Sequence, residues 1–318
     1  MAAFSRVDLI GLVSRQIYSS KWLAWRQNNL HYVTIGVMKL DIEAFLQYLT
    51  KDKGYSQNTL AAYRNDLTQM VAFISAEQAK GIITSYGELL KSYLLKLREK
   101  RYSVATTARK VASTKSFFRF MVDSGRMREN PAQHLPSPQV SRRALKFLSP
   151  SEYQKLLAEA AKLSTPEAKR DAVMLELLYA TGLRISELVS LNTENIDLER
   201  NCVRIDAKRQ VPFEHRLGLI LGNFLRSDRL DLLYDESEQA LFLNRRGKRL
   251  TRQGFWQITK GYASRAGLSG KVTPQTLRHS FARRKLQNGV ELNQLQRLLG
   301  HAYISSTRIY KQPAPRRG

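Results

Sequence analysis

Six residues in five short segments toward the end of the chain carry the side chains needed to break and rejoin a phosphodiester. They are Arg184 in Thr181-Gly182-Leu183-Arg184-Ile185-Ser186-Glu187-Leu188, Lys208 after a short apolar run, Gln275 and Arg278 in Pro274-Gln275-Thr276-Leu277-Arg278-His279, His301 in Leu299-Gly300-His301, and Tyr310. Guanidinium groups stay protonated and present forked donors. Two of them can hold both non-bridging oxygens of a phosphate and stabilise a pentacoordinate transition state without a metal ion. A phenol can attack phosphorus, and an ammonium group can protonate the departing oxygen. The Gln275 amide can donate to a phosphate oxygen but cannot accept a proton.

Periodicity and stop signals predict the elements that must position these groups. Ser149-Pro150 reads as a capped helix start, and Asp171 to Ala180 as an apolar helix with Val173, Leu177 and Leu178 inward, stopped by Gly182. Arg184 then stands where a helix through Leu188 and Leu191 begins, close to the positive end of its dipole. Cys202 to Asp206 alternates as a strand with Val211-Pro212-Phe213 returning beside it, so Ala207-Lys208-Arg209-Gln210 is the expected tip. Leu241-Phe242-Leu243 reads as another strand before the basic turn Arg245-Arg246-Gly247-Lys248-Arg249. Thr273 caps a helix with Pro274 at its first position, placing Gln275 and Arg278 on one face near the positive end, and Gly289 ends it. Leu292 to Leu299 forms a short helix stopped by Gly300, which leaves His301 at a turn. Ser305, Ser306 and Thr307 offer caps for the helix carrying Tyr310.

Order and spacing of the six residues resemble the catalytic domain of the tyrosine recombinases, especially the Xer-type chromosome-resolution enzymes. The resemblance covers roughly residues 39 to 312 and is most specific at Thr181 to Leu188 and Thr273 to Tyr310. It implies a mainly α fold with a small β-sheet, in which an N-terminal four-helix core-binding, SAM-like domain precedes a tyrosine-recombinase catalytic domain. It also implies a site-specific recombinase: Tyr310 forms a 3′-phosphotyrosyl link, Lys208 protonates the 5′ oxygen, and the hydroxyl of another strand reverses the step. Lys208 follows Arg184 by 24 positions, as the family's hairpin lysine does, but the loop is short and lacks the customary glycines, so Arg209 is a rival for the role. The family usually has histidine where Gln275 stands. Glu187 reads as a buttress and His279 as structural. No cofactor and no metal are expected.

Lys and Arg number 52 against 27 acidic residues, and the resulting charge of +25 suits a polyanion, with double-stranded DNA the natural partner. Basicity alone would equally suit a ribosomal or membrane-surface protein. Cys202 is the sole cysteine, which excludes intrachain disulfides and cysteine-based zinc clusters and fits a reducing, cytoplasmic location. No run approaches the ~20 apolar residues of a membrane span. Residues 1–37 hold one acid, Asp8, and two of the three tryptophans; they read as a poorly packed leader or as sequence upstream of a start at Met38.

Residues 38–130 carry four amphipathic periods. These are Ile42, Phe45, Leu46, Leu49; then, after a Ser56 cap, Leu60, Tyr63, Leu67, Val71, Ile74; then Leu90, Tyr93, Leu94, Leu97; then Thr107, Val111, Thr114, Phe118, Met121, ending near Gly125. Arg64, Arg109, Lys110, Lys115 and Arg119 occupy the polar faces and are the candidate DNA contacts, together with Arg245, Arg246 and Lys248 in the second domain. Residues 131–146, with Pro131, Pro136 and Pro138 before Arg142, Arg143 and Lys146, read as an extended linker to a catalytic domain over 147–312.

Family members usually continue past the tyrosine into a helix that docks on a neighbouring subunit. The tail 313–318 holds prolines and a glycine instead, so the expected state is a monomer that assembles as a tetramer only on synapsed DNA, alone or with a second recombinase. Two alternatives stay open: a DNA-binding protein of this fold with weak or lost catalysis, for which Gln275 speaks, and a type IB topoisomerase-like relaxing enzyme.

Overall fold

The computed structural model describes residues 35–81, 85–140 and 144–311, with the side chains of 35–37 left aside. The leader up to residue 34, Arg142, Arg143 and the tail 313–318 therefore lie outside the described residues. The chain divides into two compact units, 1–142 and 143–318.

Among its described residues the first unit holds four helices: α1 (Ile35–Lys51), α2 (Gln57–Ala79), α3 (Tyr86–Glu99) and α4 (Val104–Asp123). Ser56 caps α2 by accepting from the Thr59 amide at 3.3 Å, and Ser103 caps α4 through the Thr106 amide at 3.2 Å. Residues three and four apart then fall on one face, and Phe45, Leu67, Met70, Ile74, Leu90, Phe117 and Phe118 are buried together. Ala132 and Leu135 also belong to this core, so the segment read as a linker begins inside the first unit. Its prolines end the helical pattern without detaching the chain.

The second unit opens with α5 (Pro150–Ala161), started by a full capping box in which Ser149 and Glu152 serve each other's backbone amides. Next comes α6 (Pro166–Thr181), packed by α5, by α8 (His215–Arg226) and by α10 (Pro274–Gln287). Val173, Met174, Leu175, Leu177 and Leu178 are all buried, so α6 is the central rod of the core. A short α7 (Ile185–Ser190) leads to a three-stranded antiparallel sheet of β1 (Ile196–Asp197), β2 (Cys202–Asp206) and β3 (Arg209–Pro212) in spatial order β1-β2-β3. The described part of the unit ends with α9 (Arg252–Arg265), α10, α11 (Leu292–Leu299), α12 (Ser305–Arg308) and a 3₁₀ turn, Ile309–Lys311, carrying Tyr310.

Three local expectations are corrected. The β2–β3 turn is tighter than the four residues expected: Asp206 pairs with Arg209, leaving Ala207 and Lys208 as the turn, and the register shifts between Arg204 and Asp206. Leu241 to Leu243 is buried like a strand but forms only isolated bridges, Asn192 with Ala240 and Leu243 with Arg249, because each side pairs with a different loop. The helix before Tyr310 has Ile304 at its N-cap and no side-chain cap.

Candidate active site

Helix ends bring the reactive groups together. Gly182, at φ 62°, stops α6 in the left-handed conformation, and a Cβ there would lie 2.2 Å from the Phe281 ring. That sharp stop puts Arg184 at the N-cap of α7, where its amide donates to Glu187 Oε2 at 2.7 Å. On the opposite side, Gly300 at φ 61° ends α11 with the paired bonds of a Schellman turn, Gly300 N to Arg297 O and His301 N to Gln296 O.

Three arginines converge on the carbonyls that the end of α11 leaves open. Arg209 Nε donates to Leu298 O at 2.9 Å, Arg278 Nη2 to Leu299 O at 2.7 Å, and Arg184 Nη2 to Gly300 O. These are orphan acceptors at the negative end of a helix, the place where cations are stabilised. One carboxylate ties the cluster from the other side: Glu187 Oε1 accepts from Arg184 Nη1 at 2.7 Å and from Arg209 Nη1 at 2.6 Å, and Arg278 Nη1 is 4.0 Å from Oε2. Burial pushes the Glu187 carboxyl up, but the hydrogen bonds from the Arg184 backbone and from Arg209 outweigh it and hold the group below its ordinary value. Glu187 is thus the buttress expected. The α-turn glycine is needed twice over, since a Cβ on Gly300 would lie 2.7 Å from Arg209 Nη1.

Arg278 is buried and also donates to Gly182 O at 2.6 Å, fixing the ends of α6 and α11 to one guanidinium. Burial, and then Arg184, lower it to about 10, so it stays cationic at neutral pH. Its Nη2 lies 3.0 Å from His301 Nε2, while His301 Nδ1 lies 2.9 Å from Thr307 Oγ1. A guanidinium only donates, so Nε2 is the acceptor and Nδ1 carries the hydrogen. Thr307, expected as a cap, is buried and orients this ring instead. Tyr310 is buried with its ring stacked toward His301 at a centroid distance of 6.4 Å, and its hydroxyl is 2.9 Å from His279 Nδ1. Burial raises the phenol, while the charges of Arg278 and Arg184 pull it down.

Two family models match the chain. Residues 146–317 match the phage integrase family, and residues 42–125 match the phage integrase N-terminal SAM-like domain. The chain is 44% identical over 279 residues to the tyrosine recombinase XerC of Roseiflexus sp. (strain RS-1), covering 86% of this chain and 89% of that one. The tyrosine recombinase XerD of Listeria monocytogenes serotype 4b (strain F2365) is 38% identical, covering 85% and 92%. The chain belongs to the phage integrase family of tyrosine recombinases. In fold the recombinase is similar to the Tn1549 transposon integrase in complex with circular intermediate DNA, with a TM-score of 0.65 at 18% identity, covering 87% of this chain and 96% of that one.

Of the six residues read from sequence, the recombinase brings Arg184, Arg278, His301 and Tyr310 into one cluster. Gln275 is exposed on the first turn of α10, and Lys208 is exposed in the β2–β3 turn, where its amide donates to Asp206 Oδ1 at 2.8 Å. Its rival Arg209 is committed elsewhere, buried between Glu187 and α11. His279, read as structural, is the group on the Tyr310 hydroxyl. No local pattern announced it, since neighbouring helix residues point about 100° apart and the partner hydroxyl lies 31 positions away.

The basic residues proposed for DNA divide as well. Lys110 is corrected: it is buried at 2% exposure, with Nζ 3.0 Å from Asp66 Oδ1 and 2.9 Å from Gln69 Oε1, so it does not lie on a polar face. Arg109 shares the same Asp66 carboxylate but is 40% exposed. Arg64 is exposed and forks onto Glu43, Arg119 pairs loosely with Asp123 at 3.7 Å, and Lys115 is half-buried. In the second unit Arg245, Arg246 and Lys248 are all exposed; Arg245 is 3.2 Å from Glu167 and Lys248 is 3.3 Å from Asp235. No helix among the described residues is long and apolar enough to cross a membrane.

Proposed function

We propose that this recombinase cuts and rejoins double-stranded DNA at a specific site through a 3′-phosphotyrosyl link to Tyr310. Arg184 and Arg278 hold the non-bridging oxygens of the scissile phosphate, His301 steadies the Arg278 guanidinium, Gln275 supplies a further hydrogen bond to the phosphate, and Lys208 protonates the departing 5′ oxygen. The observation that carries this reading is the arginine cluster. Three guanidiniums share one carboxylate, which leaves a surplus of positive charge beside a tyrosine hydroxyl. Arg184, 42% exposed in its side chain, is the open edge by which a phosphate enters. Exposed Arg64, Arg119, Arg245 and Lys248 exchange their surface ion pairs for backbone phosphates, which Arg246 and the half-exposed Arg109 and Lys115 also contact. Two duplexes are synapsed by a tetramer, formed with or without a second recombinase. The same cut-and-join step serves resolution of joined DNA molecules and insertion of one into another.

A nicked suicide substrate incubated with the protein in a chelator should give a DNA-linked species in denaturing gels, and Tyr310→Phe should abolish it while sparing binding. An adduct persisting in the phenylalanine variant overturns the assignment. A binding-only protein is the second reading, favoured by the amide at 275. It wins if wild type forms no adduct where Gln275→His does.

A further inference from the structure

Tyr310 must lose a proton as it attacks, and the residue that ordinarily holds a histidine in this family offers only an amide. Gln275 has no basic lone pair and is exposed on the helix surface. His301 is within reach of the phenol ring, but both of its nitrogens are engaged, Nε2 by the Arg278 guanidinium and Nδ1 by Thr307. Lys208 sits exposed in a turn and is needed as an acid. One nitrogen is already on the hydroxyl, at hydrogen-bonding distance: Nδ1 of His279, 2.9 Å from Tyr310 Oη.

We propose that His279 is the catalytic base that removes the Tyr310 proton during strand cleavage and returns it during rejoining. The inference rests on the reading of Tyr310 as nucleophile. The His279 ring is carried on α10 directly after Arg278, and the Phe147 ring meets it edge-on at a centroid distance of 6.4 Å. The Tyr310 ring stands against it at 5.5 Å. The charged and titratable groups around it are few: Arg278 on its own helix, Tyr310 from the 3₁₀ turn, and Arg283, whose guanidinium lies over Phe147 at 4.6 Å. Burial first, and Arg278 second, push the imidazole down to about 4, so at neutral pH the ring is uncharged and its lone pair is available. A phosphate docked on Arg278 offsets that charge and raises the ring toward the strength the task needs.

In the forward step the Oη–H electron pair stays on oxygen and forms the Oη–P bond while the proton moves to Nδ1. The P–O5′ pair leaves on the 5′ oxygen, which takes its proton from Lys208. In the reverse step an incoming 5′ hydroxyl gives its proton to the neutral Lys208 amine and attacks phosphorus, the P–Oη bond breaks with its pair on Oη, and the imidazolium returns its proton to Tyr310. Nothing else is consumed.

The test is single-turnover cleavage of a suicide substrate as a function of pH. His279→Asn keeps a hydrogen-bonding atom at the Nδ1 position but removes basicity. It should cleave ~10²-fold more slowly than wild type near neutrality, the contribution of a general base. The deficit should shrink as pH rises, and 3-fluorotyrosine at position 310, whose phenol ionises more readily, should narrow it. A bridging sulfur at the 5′ position, which leaves without a proton, should not narrow it. His279→Ala, with room in place of the ring, should regain rate on addition of imidazole. The proposal is overturned if His279→Asn matches wild type in rate and pH profile, or if the sulfur substrate restores it fully. Should Tyr310→Phe still form an adduct, the underlying nucleophile assignment fails instead, so the two failures are distinct.

Discussion

Each unit of the recombinase gathers cations around one carboxylate, but the two gatherings differ in how much positive charge is left over. In the first unit Asp66, 1% exposed, takes Lys110 on one oxygen and Arg109 on the other, with Gln69 completing Lys110 and the Ala62 carbonyl accepting from Arg109. In the second, Glu187 faces three arginines, two neutral histidines stand beside them, and a helix end supplies carbonyls rather than further negative charge. Asp66 answers two cations with one charge, leaving a single positive charge over, and the set fastens α2 to α4. Glu187 leaves two positive charges unbalanced next to a tyrosine. The ingredients are alike, and the larger surplus, set among helix-end carbonyls and neutral histidines, distinguishes a site from a clasp.

The largest effect expected is on the Asp66 set. Asp66→Ala strands Lys110 in the interior, and breaking a buried pair costs about 3–5 kcal/mol, so urea unfolding should shift by that amount while the cleavage rate per folded molecule holds. A loss of rate without loss of stability would show that the first cluster is no mere clasp.

Next in size is Arg278→Ala, which removes a preorganised donor. The cleavage rate should fall by ~10²–10³-fold with DNA affinity much less altered, because many phosphate contacts remain. Arg278→Lys should recover little, since a point charge cannot span Gly182 O, Leu299 O and a phosphate together. Parallel loss of binding and rate would contradict a transition-state role.

Acidification should separate the units more mildly. His279 and His301 ionise near 6.5 in the unfolded chain and are pushed to about 4 in the fold, by burial first and then by Arg278. The unfolded chain therefore takes up these protons first. Their contribution to stability is whole above about pH 6.5 and is lost as pH falls toward 4. Hydrogen exchange, corrected for intrinsic rate, should show α10 and the 300–311 segment losing protection across that window while α1 to α4, which contain no histidine, hold theirs. Equal loss in both units would remove the histidines as the cause.

The smallest effect belongs to exposed pairs. Arg64→Ala breaks a solvated bridge to Glu43, so stability should move by less than ~1 kcal/mol, yet the salt slope of DNA binding should drop by about one. An unchanged slope would take Arg64 off the DNA surface.

Helix starts and stops were legible in sequence because single residues enforce them: Ser56, Ser149 and Thr273 cap, and Gly182 and Gly300 end. The family pattern marked Arg184, Arg278, His301 and Tyr310 for the same reason, since each sits within a few residues of such a signal. Lys110 was not legible, because a lysine facing inward differs from one facing outward only by Asp66, 44 positions away in sequence. Arg209 and His279 were hidden likewise. Their partners, Leu298 O and Tyr310 Oη, come from the other side of the fold, and no local period announces them.

In the proposed mechanism a surplus of charge makes Tyr310 the attacking group. Its most direct test is to digest the covalent DNA complex formed in a chelator and locate the nucleotide-bearing residue by mass spectrometry. A single modified peptide carrying the phosphate on Tyr310 is the result expected. A nucleotide on any other residue, or an adduct that forms only when divalent metal is supplied, would contradict it.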